Sequence, residues 1–406
     1  MTESHNVRTE SGSSSGQNPE ASNPVDVLVV GAGPVGLALA LSLARQNRRV
    51  QVIEKNSQTA EFSRAPAIWP ATQEVLDRLG VIDRFLQAGI VKQHVTLQDA
   101  DSDSVLLSVP IEELSGETLF PQLLILPQST TEKLLLQALQ NCPSARVRFG
   151  TELVDLTPAS DHVSAHCRST ADEFDIAARL VVGCDGAHSS VRKLLRLDFP
   201  GNTFPFEASL ADIRYANDDW HSPRLTGSPC PAIGIKISHD TWRLILPFTD
   251  DPAISLDQRI EYAMDGLFGK TGDILWKSQF SLHNRVSSAF SRGRIALAGD
   301  AAHLNSPVGG QGMNAGLQDT EPLASALIEV LETNDVSALD NYSGQRRQQI
   351  ASNVNRYTAM MTRVIMFRRG RHLKLILRLV NTAFKVPPLR RRFLRRLTML
   401  RQQSEQ

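Results

Sequence analysis

The chain has no apolar run long enough to cross a bilayer. Residues Met1 to Asn23, rich in Ser, Glu, Asn and Gly, contain no apolar core of the kind a secretory signal needs, and they read as a disordered tail. Only four cysteines occur, Cys142, Cys167, Cys184 and Cys230, with no CxxC pair and no Cys/His spacing suited to zinc. A disulfide framework and a structural metal are not expected, and a reducing cytoplasm is the expected setting. No internal repeat is found along the 406 residues. Acidic side chains are missing from one long region: Asn341 to Arg401 holds sixteen Lys or Arg and no Asp or Glu, although the formal net charge of the chain is zero. The rest of the chain is therefore acidic. With 41% apolar and 21% charged residues the composition is that of an ordinary globular protein, and the length allows two or three domains.

What is present is organised around Val25-Asp-Val-Leu-Val-Val-Gly-Ala-Gly-Pro-Val-Gly36. An apolar run ends on a glycine turn and passes directly into Leu37 to Ala44, which predicts a buried strand, a tight turn and a helix. Gly31 permits the turn, Gly33 lets backbone approach a pyrophosphate, and Gly36 lets the helix pack close to the strand. The amides and positive dipole end of the helix then face the phosphates. A second strand, Arg49 to Glu54, ends in a carboxylate eighteen residues after Gly36, where an acceptor for ribose hydroxyls belongs. FAD, NAD and NADP all use such a turn, so the turn by itself leaves the dinucleotide open.

Further along, Phe62 to Leu76 reads as a loop turning into an amphipathic helix that reaches Leu79. Arg64 in that loop is either a phosphate clamp or a surface arginine. Val91 to Pro110 alternates as strands do, and Leu124 to Leu135 opens another helix, whose buried face would be Leu134 to Leu139. Short strands are expected over Arg146 to Leu156 and His162 to Arg168. They lead into an apolar strand that ends in Cys184-Asp185-Gly186 before Ser189 and Arg192. A helix N-cap at Ser189 explains that glycine and serine but leaves the acid without a role. At the carboxyl end of a parallel strand, the acid also stands where ligands bind.

Between Leu197 and Phe290 strand-like pieces replace helical periodicity: Glu207 to Tyr215, Ala232 to Ser238 and Thr241 to Phe248. This stretch is read as a β-rich insertion forming a second domain. Its aromatics, Phe199, Phe204, Phe206, Tyr215, Trp220, Trp242, Trp276 and Phe280, either line an apolar pocket or pack a core. The chain then returns with another buried strand ending in Gly299-Asp300, followed by His303 and the glycine-dense Pro307-Val-Gly-Gly310-Gln-Gly312-Met313-Asn314. Such a turn suits backbone laid against something flat or charged, with the helix from Met313 aiming its amides at it.

Taken together, the three motifs resemble the FAD-dependent aromatic hydroxylases, single-component flavoprotein monooxygenases similar to p-hydroxybenzoate hydroxylase. The resemblance runs from about Val25 to Asp319, with the motifs in the family's order. It implies an α/β fold: a Rossmann-type FAD-binding domain with an inserted β-rich substrate domain and a helical C-terminus. The corresponding boundaries are a tail over 1–23, the FAD-binding domain over 24–196 with some substrate-domain strands near 91–110, and the substrate domain over 197–290. The FAD-binding domain returns with a long helix over 291–364, and a basic helical segment covers 365–406. Carried over position by position, the resemblance implies that Gly31, Gly33, Pro34 and Gly36 of the turn and Glu54 hold the ADP half of FAD, with Lys55 also binding the cofactor. Arg64 and Gln128 would contact its phosphate or ribityl groups, and Asp300, next to Gly299, would accept from a ribityl hydroxyl. Asp185 would sit near the pyrophosphate on the path of the nicotinamide cofactor. Pro307, Gly310, Gly312, Met313 and Asn314 would lie beside the isoalloxazine ring.

The implied activity is hydroxylation of a small aromatic or polyketide-like molecule with NADPH or NADH and O₂, through a C4a-hydroperoxyflavin. Helix amides near Gly310 to Asn314 would oppose negative charge on the ring, and the pocket must exclude water. Only one GxGxxG is present, so NAD(P)H has no Rossmann domain of its own. Many relatives of phenol hydroxylase carry a further thioredoxin-like domain, which is not expected here for want of room. No catalytic base is identified. His221, His239, Tyr215 and Tyr262 lie in the insertion with nothing to single one out, and His303 reads as structural.

Two rival readings are a flavin oxidoreductase of this fold that inserts no oxygen, such as a halogenase or prenyl-lipid reductase, and a flavin-bearing redox sensor with a membrane-docking tail. No halogenase-like tryptophan motif is found. In the basic tail, Leu389, Phe393, Leu397 and Leu400 recur at helical spacing behind Arg390, Arg391, Arg392, Arg395 and Arg396. Such a helix either packs on the FAD domain, its arginines solvated or paired with the acidic remainder, or lies on an anionic membrane. Nucleic acid is not expected as a partner, because beyond Phe384 and Phe393 the tail has no stacking aromatics.

Overall fold

The computed structural model describes residues 24–59, 65–215, 222–227, 230–246, 254–269, 272–367 and 370–400. Arg64, Trp220, His221 and the tail over 1–23 lie outside these, as does the side chain of Phe206.

In chain order, β1 (Val25–Val30), α1 (Pro34–Arg45) and β2 (Val50–Ile53) form the opening unit. Then come β3 (Ala67–Ile68), α2 (Pro70–Arg78), α3 (Ile82–Ala88), β4 (Ile90–Lys92) and the hairpin of β5 (His94–Asp99) and β6 (Val105–Pro110). After these, β7 (Leu123–Ile125) and α4 (Gln128–Gln140) lead to β8 (Ala145–Arg148), β9 (Thr151–Pro158), β10 (Val163–Ser169), β11 (Glu173–Gly183) and α5 (Ser190–Leu194). The next stretch is β12 (Gly201–Arg214), β13 (Arg224–Thr226), β14 (Ala232–Lys236), β15 (Thr241–Leu246), α6 (Leu256–Phe268) and β16 (Asp273–Val286). It is followed by β17 (Ser291–Arg292), β18 (Ile295–Leu297) and β19 (His303–Leu304). Helices α7 (Gly312–Thr333), α8 (Ser337–Gln349), α9 (Arg356–Phe367), α10 (Gly370–Ala383) and α11 (Pro387–Leu397) complete it.

One eight-stranded sheet carries the core order β17-β18-β11-β1-β2-β8, with β10 and β9 attached antiparallel beyond β11. β1 runs parallel to both β2 and β11, and β11 parallel to β18. A strand with parallel partners on both sides and helices over its faces must be apolar throughout, as Val27 to Val30 are. The carboxyl ends of β1, β11 and β18 therefore lie side by side, and each continues into one of the three motifs.

The second eight-stranded sheet has the order β19-β16-β12-β15-β14-β13-β5-β6. It gathers strands from three separate stretches, 94–110, 201–286 and 303–304. One face is sealed by α6, a helix that the strand-like reading of this region missed. Its signals are local: Ser255 and Gln258 form a capping box, apolar residues recur at Ile260, Ala263, Met264 and Leu267, and Gly269 ends the helix at φ +69°. Between α6 and the sheet lie Trp242, Leu244, Leu246, Ala211, Ile213 and Tyr215. Tyr215 stacks on Phe268 with ring centres 4.4 Å apart, so it and Trp242 are core residues and not pocket lining. On the opposite face Asp212 and Arg243 form a buried bidentate pair at 2.8 Å, with Arg243 5.7 Å from the Trp276 ring centre.

The basic C-terminal helices pack on the body, with cations directed at its acids. Buried Lys374 on α10 donates to Asp99 and Asp101 at 2.6 Å, and Leu373 and Leu377 pack with Leu106 and Leu225. On α11, Arg390 and Arg395 pair with Glu113 and Glu117. The expected apolar row is corrected in one place, because Leu389 is 53% exposed whereas Leu394 and Leu397 are buried. The Arg390–Glu113 pair turns positions 390, 394 and 397 inward, which leaves Leu389 off that stripe. No helix among the described residues is long and apolar enough to cross a membrane.

Candidate functional site

The turn between β1 and α1 gives each glycine a separate reason to be glycine. Gly31 has φ +107°, and a Cβ there would come within 2.5 Å of the Cys184 carbonyl oxygen. At Gly36 a Cβ would overlap the Gly31 carbonyl oxygen. Gly33 differs: its backbone is ordinary, at φ −73° and ψ 179°, and an added Cβ would meet nothing within 4 Å. Neither strain nor packing explains that glycine; open space beside the backbone does. Pro34 follows as the first residue of α1, which has no side-chain cap, so the first-turn amides have no acceptor within the helix.

Glu54 stands just past β2, with Oε2 accepting from the Ala32 amide at 3.0 Å and Oε1 from Asn56. It thus rests against the glycine turn, with exposed Lys55 beside it. Gln128 opens α4 and donates to Glu132 at 2.9 Å.

Asp185 is tied more closely to its own loop than the sequence suggested. Its Oδ1 accepts from the Ser189 hydroxyl at 2.5 Å, and its Oδ2 accepts from the amides of Ser190 at 2.6 Å and Val191 at 3.2 Å. Ser189 in turn caps the helix by accepting from the Arg192 amide. The capping arrangement therefore accounts for the acid as well as the serine, because a carboxylate satisfies amides that open a short helix. Arg192 reaches across to the Ala301 carbonyl at 2.8 Å and lies 3.9 Å above the ring centre of Phe199.

The third motif is held from beneath. Gly299, at φ +60°, donates its amide to Asp319 Oδ2 at 2.8 Å, and the same oxygen accepts from His303 Nε2 at 2.8 Å. Asp319 Oδ1 accepts from Arg346 Nε at 2.6 Å, and Arg346 also donates to the Ala315 carbonyl. Burial alone would raise the pKa of Asp319, but the charges and hydrogen bonds of His303 and Arg346 outweigh it and hold the carboxyl at about 2. His303 is fully buried and structural, as expected. Asp319 and Arg346 went unnoticed in the sequence; the only signal was an acid on an apolar face of α7, five residues after Asn314.

Asp300 is exposed in the short turn Gly299–Ala301, and Pro307 is exposed at the start of the glycine-dense loop. Gly310, at φ +63°, faces Ala67, and Gly312 and half-buried Met313 open α7, which has no side-chain cap. Trp69 clamps this loop: its indole Nε1 donates to the Gly309 carbonyl at 2.8 Å and its amide to Asn314 Oδ1 at 2.9 Å. Asn314 Nδ2 donates to the carbonyls of Ala67 and Gly310. The Asn314 side chain is thus committed to the protein, and what remains for a ligand is backbone.

Val35 joins the motifs. Cβ atoms added at Gly299 and Gly316 would come within 3.0 and 2.7 Å of its side chain, and one at Gly36 within 3.3 Å of Cys184 Cβ. Three stretches up to some 280 residues apart in sequence therefore meet at one helix start. Of the residues considered for a base, Tyr215 is core, Tyr262 is an exposed side chain on α6, and His239 lies in the β14–β15 turn. None of them is within this meeting point.

A family model described as an FAD binding domain matches residues 24–229 and 254–357. Over 355 residues the chain is 32% identical to 12-dehydrotetracycline 5-monooxygenase/anhydrotetracycline 6-monooxygenase of Streptomyces rimosus, covering 82% of this chain and 68% of that protein. The crystal structure of p-nitrophenol 4-monooxygenase from Pseudomonas putida superposes with a TM-score of 0.84 at 26% identity, covering 92% of this chain and 98% of that one. Aklavinone-11 hydroxylase, in a ternary complex with FAD and aklavinone, superposes with a TM-score of 0.77 at 25% identity over 85% and 70% of the two chains.

Proposed function

Because the chain belongs to the FAD-dependent aromatic hydroxylases, we propose that it hydroxylates a small phenolic or polycyclic polyketide-like molecule at the junction of its three motifs. It is an FAD-dependent monooxygenase that draws electrons from NAD(P)H. Bound there, FAD would supply the redox chemistry that couples NAD(P)H oxidation to insertion of one oxygen atom of O₂.

The residues fit the cofactor. The open space beside Gly33 is what a pyrophosphate requires, and this observation carries the assignment. In the proposed arrangement the first-turn amides of α1 hold the pyrophosphate, and Glu54, already oriented by Ala32 and Asn56, accepts from ribose hydroxyls. Lys55, Gln128 and Asp300 contact the rest of the cofactor chain. Asp185, whose oxygens stabilise its own helix start, shapes the loop near the pyrophosphate. Pro307, Gly310, Gly312, Met313 and the backbone of Asn314 lie along the ring, where the opening amides of α7 oppose developing negative charge. Trp69 and the Asn314 side chain fix the position of those amides, so little reorganisation is needed when charge appears.

The substrate class rests on relatives named for tetracycline intermediates, p-nitrophenol and aklavinone. Purified protein should be yellow, and NAD(P)H oxidation should rise with a suitable phenol or polycyclic quinol, the product gaining one labelled atom from ¹⁸O₂. If every phenol and polycycle tried leaves NAD(P)H oxidation unchanged and the label absent, the proposed substrate class fails.

A further inference from the structure

We infer that the outward face of α10 and α11, together with the tip of the loop before β7, docks on an anionic lipid membrane. The inference is independent of what the active site does. The inward faces of these helices are satisfied by the body, through Lys374 and Arg378 on Asp99 and through Arg390 on Glu113. The outward surface is apolar along α10 and cationic from the end of α10 through α11. Leu375 and Leu379, one turn apart on α10, are 56% and 61% exposed, and Val386 and Leu389 at the start of α11 are exposed as well. Leu119 is 81% exposed, and the Arg395–Glu117 pair ties its loop to α11. Lys385, Arg391 and Arg392 are exposed beside them, without a carboxylate partner among the described residues, and Pro387, Pro388, Arg391, Arg392 and Arg395 line a shallow cleft.

Charge complementarity selects the occupant. No acid occurs from Asn341 to Arg401 to repel anionic headgroups, and leucines interleaved with arginines gain from the acyl boundary as well as from the headgroups. A nucleic acid would gain nothing from the leucines and would need stacking aromatics. Phe384 and Phe393 instead pack on one another, with ring centres 4.7 Å apart. A second copy docked face to face would set Arg391 and Arg392 against their own equivalents.

Co-sedimentation of the FAD-loaded protein with phosphatidylcholine vesicles, with and without phosphatidylglycerol, tests this. Binding is expected only to the phosphatidylglycerol vesicles and should fall as salt rises. Leu375→Ser with Leu379→Ser should lower the partition coefficient about tenfold. Arg391→Gln with Arg392→Gln should lower it by more than about tenfold. Both double variants should keep wild-type FAD content and melting temperature, which separates lost docking from lost folding. Equal binding to both vesicle types, or to neither, would overturn the inference. So would a dimer in sedimentation equilibrium that the leucine changes dissolve, or tight DNA binding indifferent to the leucines.

Discussion

At the scale of single residues, Gly33 and Gly36 stand three positions apart and respond differently to a side chain. A valine at Gly33 would occupy open space without backbone strain. Gly33→Val is therefore expected to leave the unfolding free energy of the flavin-free protein within about 1 kcal/mol of wild type while weakening FAD binding at least tenfold, read by flavin fluorescence. Gly36→Val has no such room and should cost about 3 kcal/mol or more in urea unfolding. Asp319 carries a second residue-scale prediction. Asp319→Asn leaves Arg346 and His303 buried beside a neutral amide, at an expected cost of about 3–5 kcal/mol. Since the folded carboxyl sits at about 2, below its ordinary value of 3.8, its stabilising contribution is complete above the unfolded pKa. It is lost as pH falls through about 2. Acid unfolding curves of wild type should therefore steepen below pH ~4, and those of Asp319→Asn should lack this component.

Among the elements, the clamp between the start of α2 and the start of α7 decides where the opening amides of α7 lie. Trp69→Phe keeps the buried ring but removes the hydrogen bond to Gly309, worth about 1 kcal/mol. A looser loop should weaken FAD binding by less than about tenfold and raise the H₂O₂ formed per NAD(P)H, measured with a peroxidase assay; unchanged coupling would remove the clamp from the mechanism. On α10, Lys374 is the anchor. Lys374→Met leaves Asp99 buried without its ammonium and should cost about 3 kcal/mol, with faster proteolysis between α9 and α11 as the readout. Exposed pairs such as Arg395–Glu117 should contribute under about 1 kcal/mol when removed.

On the scale of the whole molecule, the proposed FAD site joins three segments that follow the adjacent strands β1, β11 and β18, far apart in sequence, so FAD binding should be linked to global stability. FAD at a hundredfold over its dissociation constant should add about 2.7 kcal/mol and raise the melting temperature by a few degrees. A melting temperature indifferent to added FAD would contradict the site as assembled. The acidic body and basic C-terminal helices, which sum to zero net charge, are held together through Asp99, Glu113 and Glu117.

By itself the sequence determined the elements whose signals are local: the strand, turn and helix at Val25 to Ala44, the glycines with their separate tasks, and the two later strands ending in Asp185 and Asp300. Even α6 was written there, in Ser255, Gln258 and a 3–4 spacing of apolar residues, although the strands around it masked it. Tertiary structure alone decided what depends on partners distant in the chain. It set Asp319 beneath Gly299 and His303, and committed the Asn314 side chain to Ala67 and Trp69. It also turned Arg390 inward and Leu389 outward. Hydrophobic periodicity and turn chemistry act between near neighbours, so a sequence displays them directly. A buried polar group is defined by whichever strand or helix is folded against it, and no spacing along the chain reveals that.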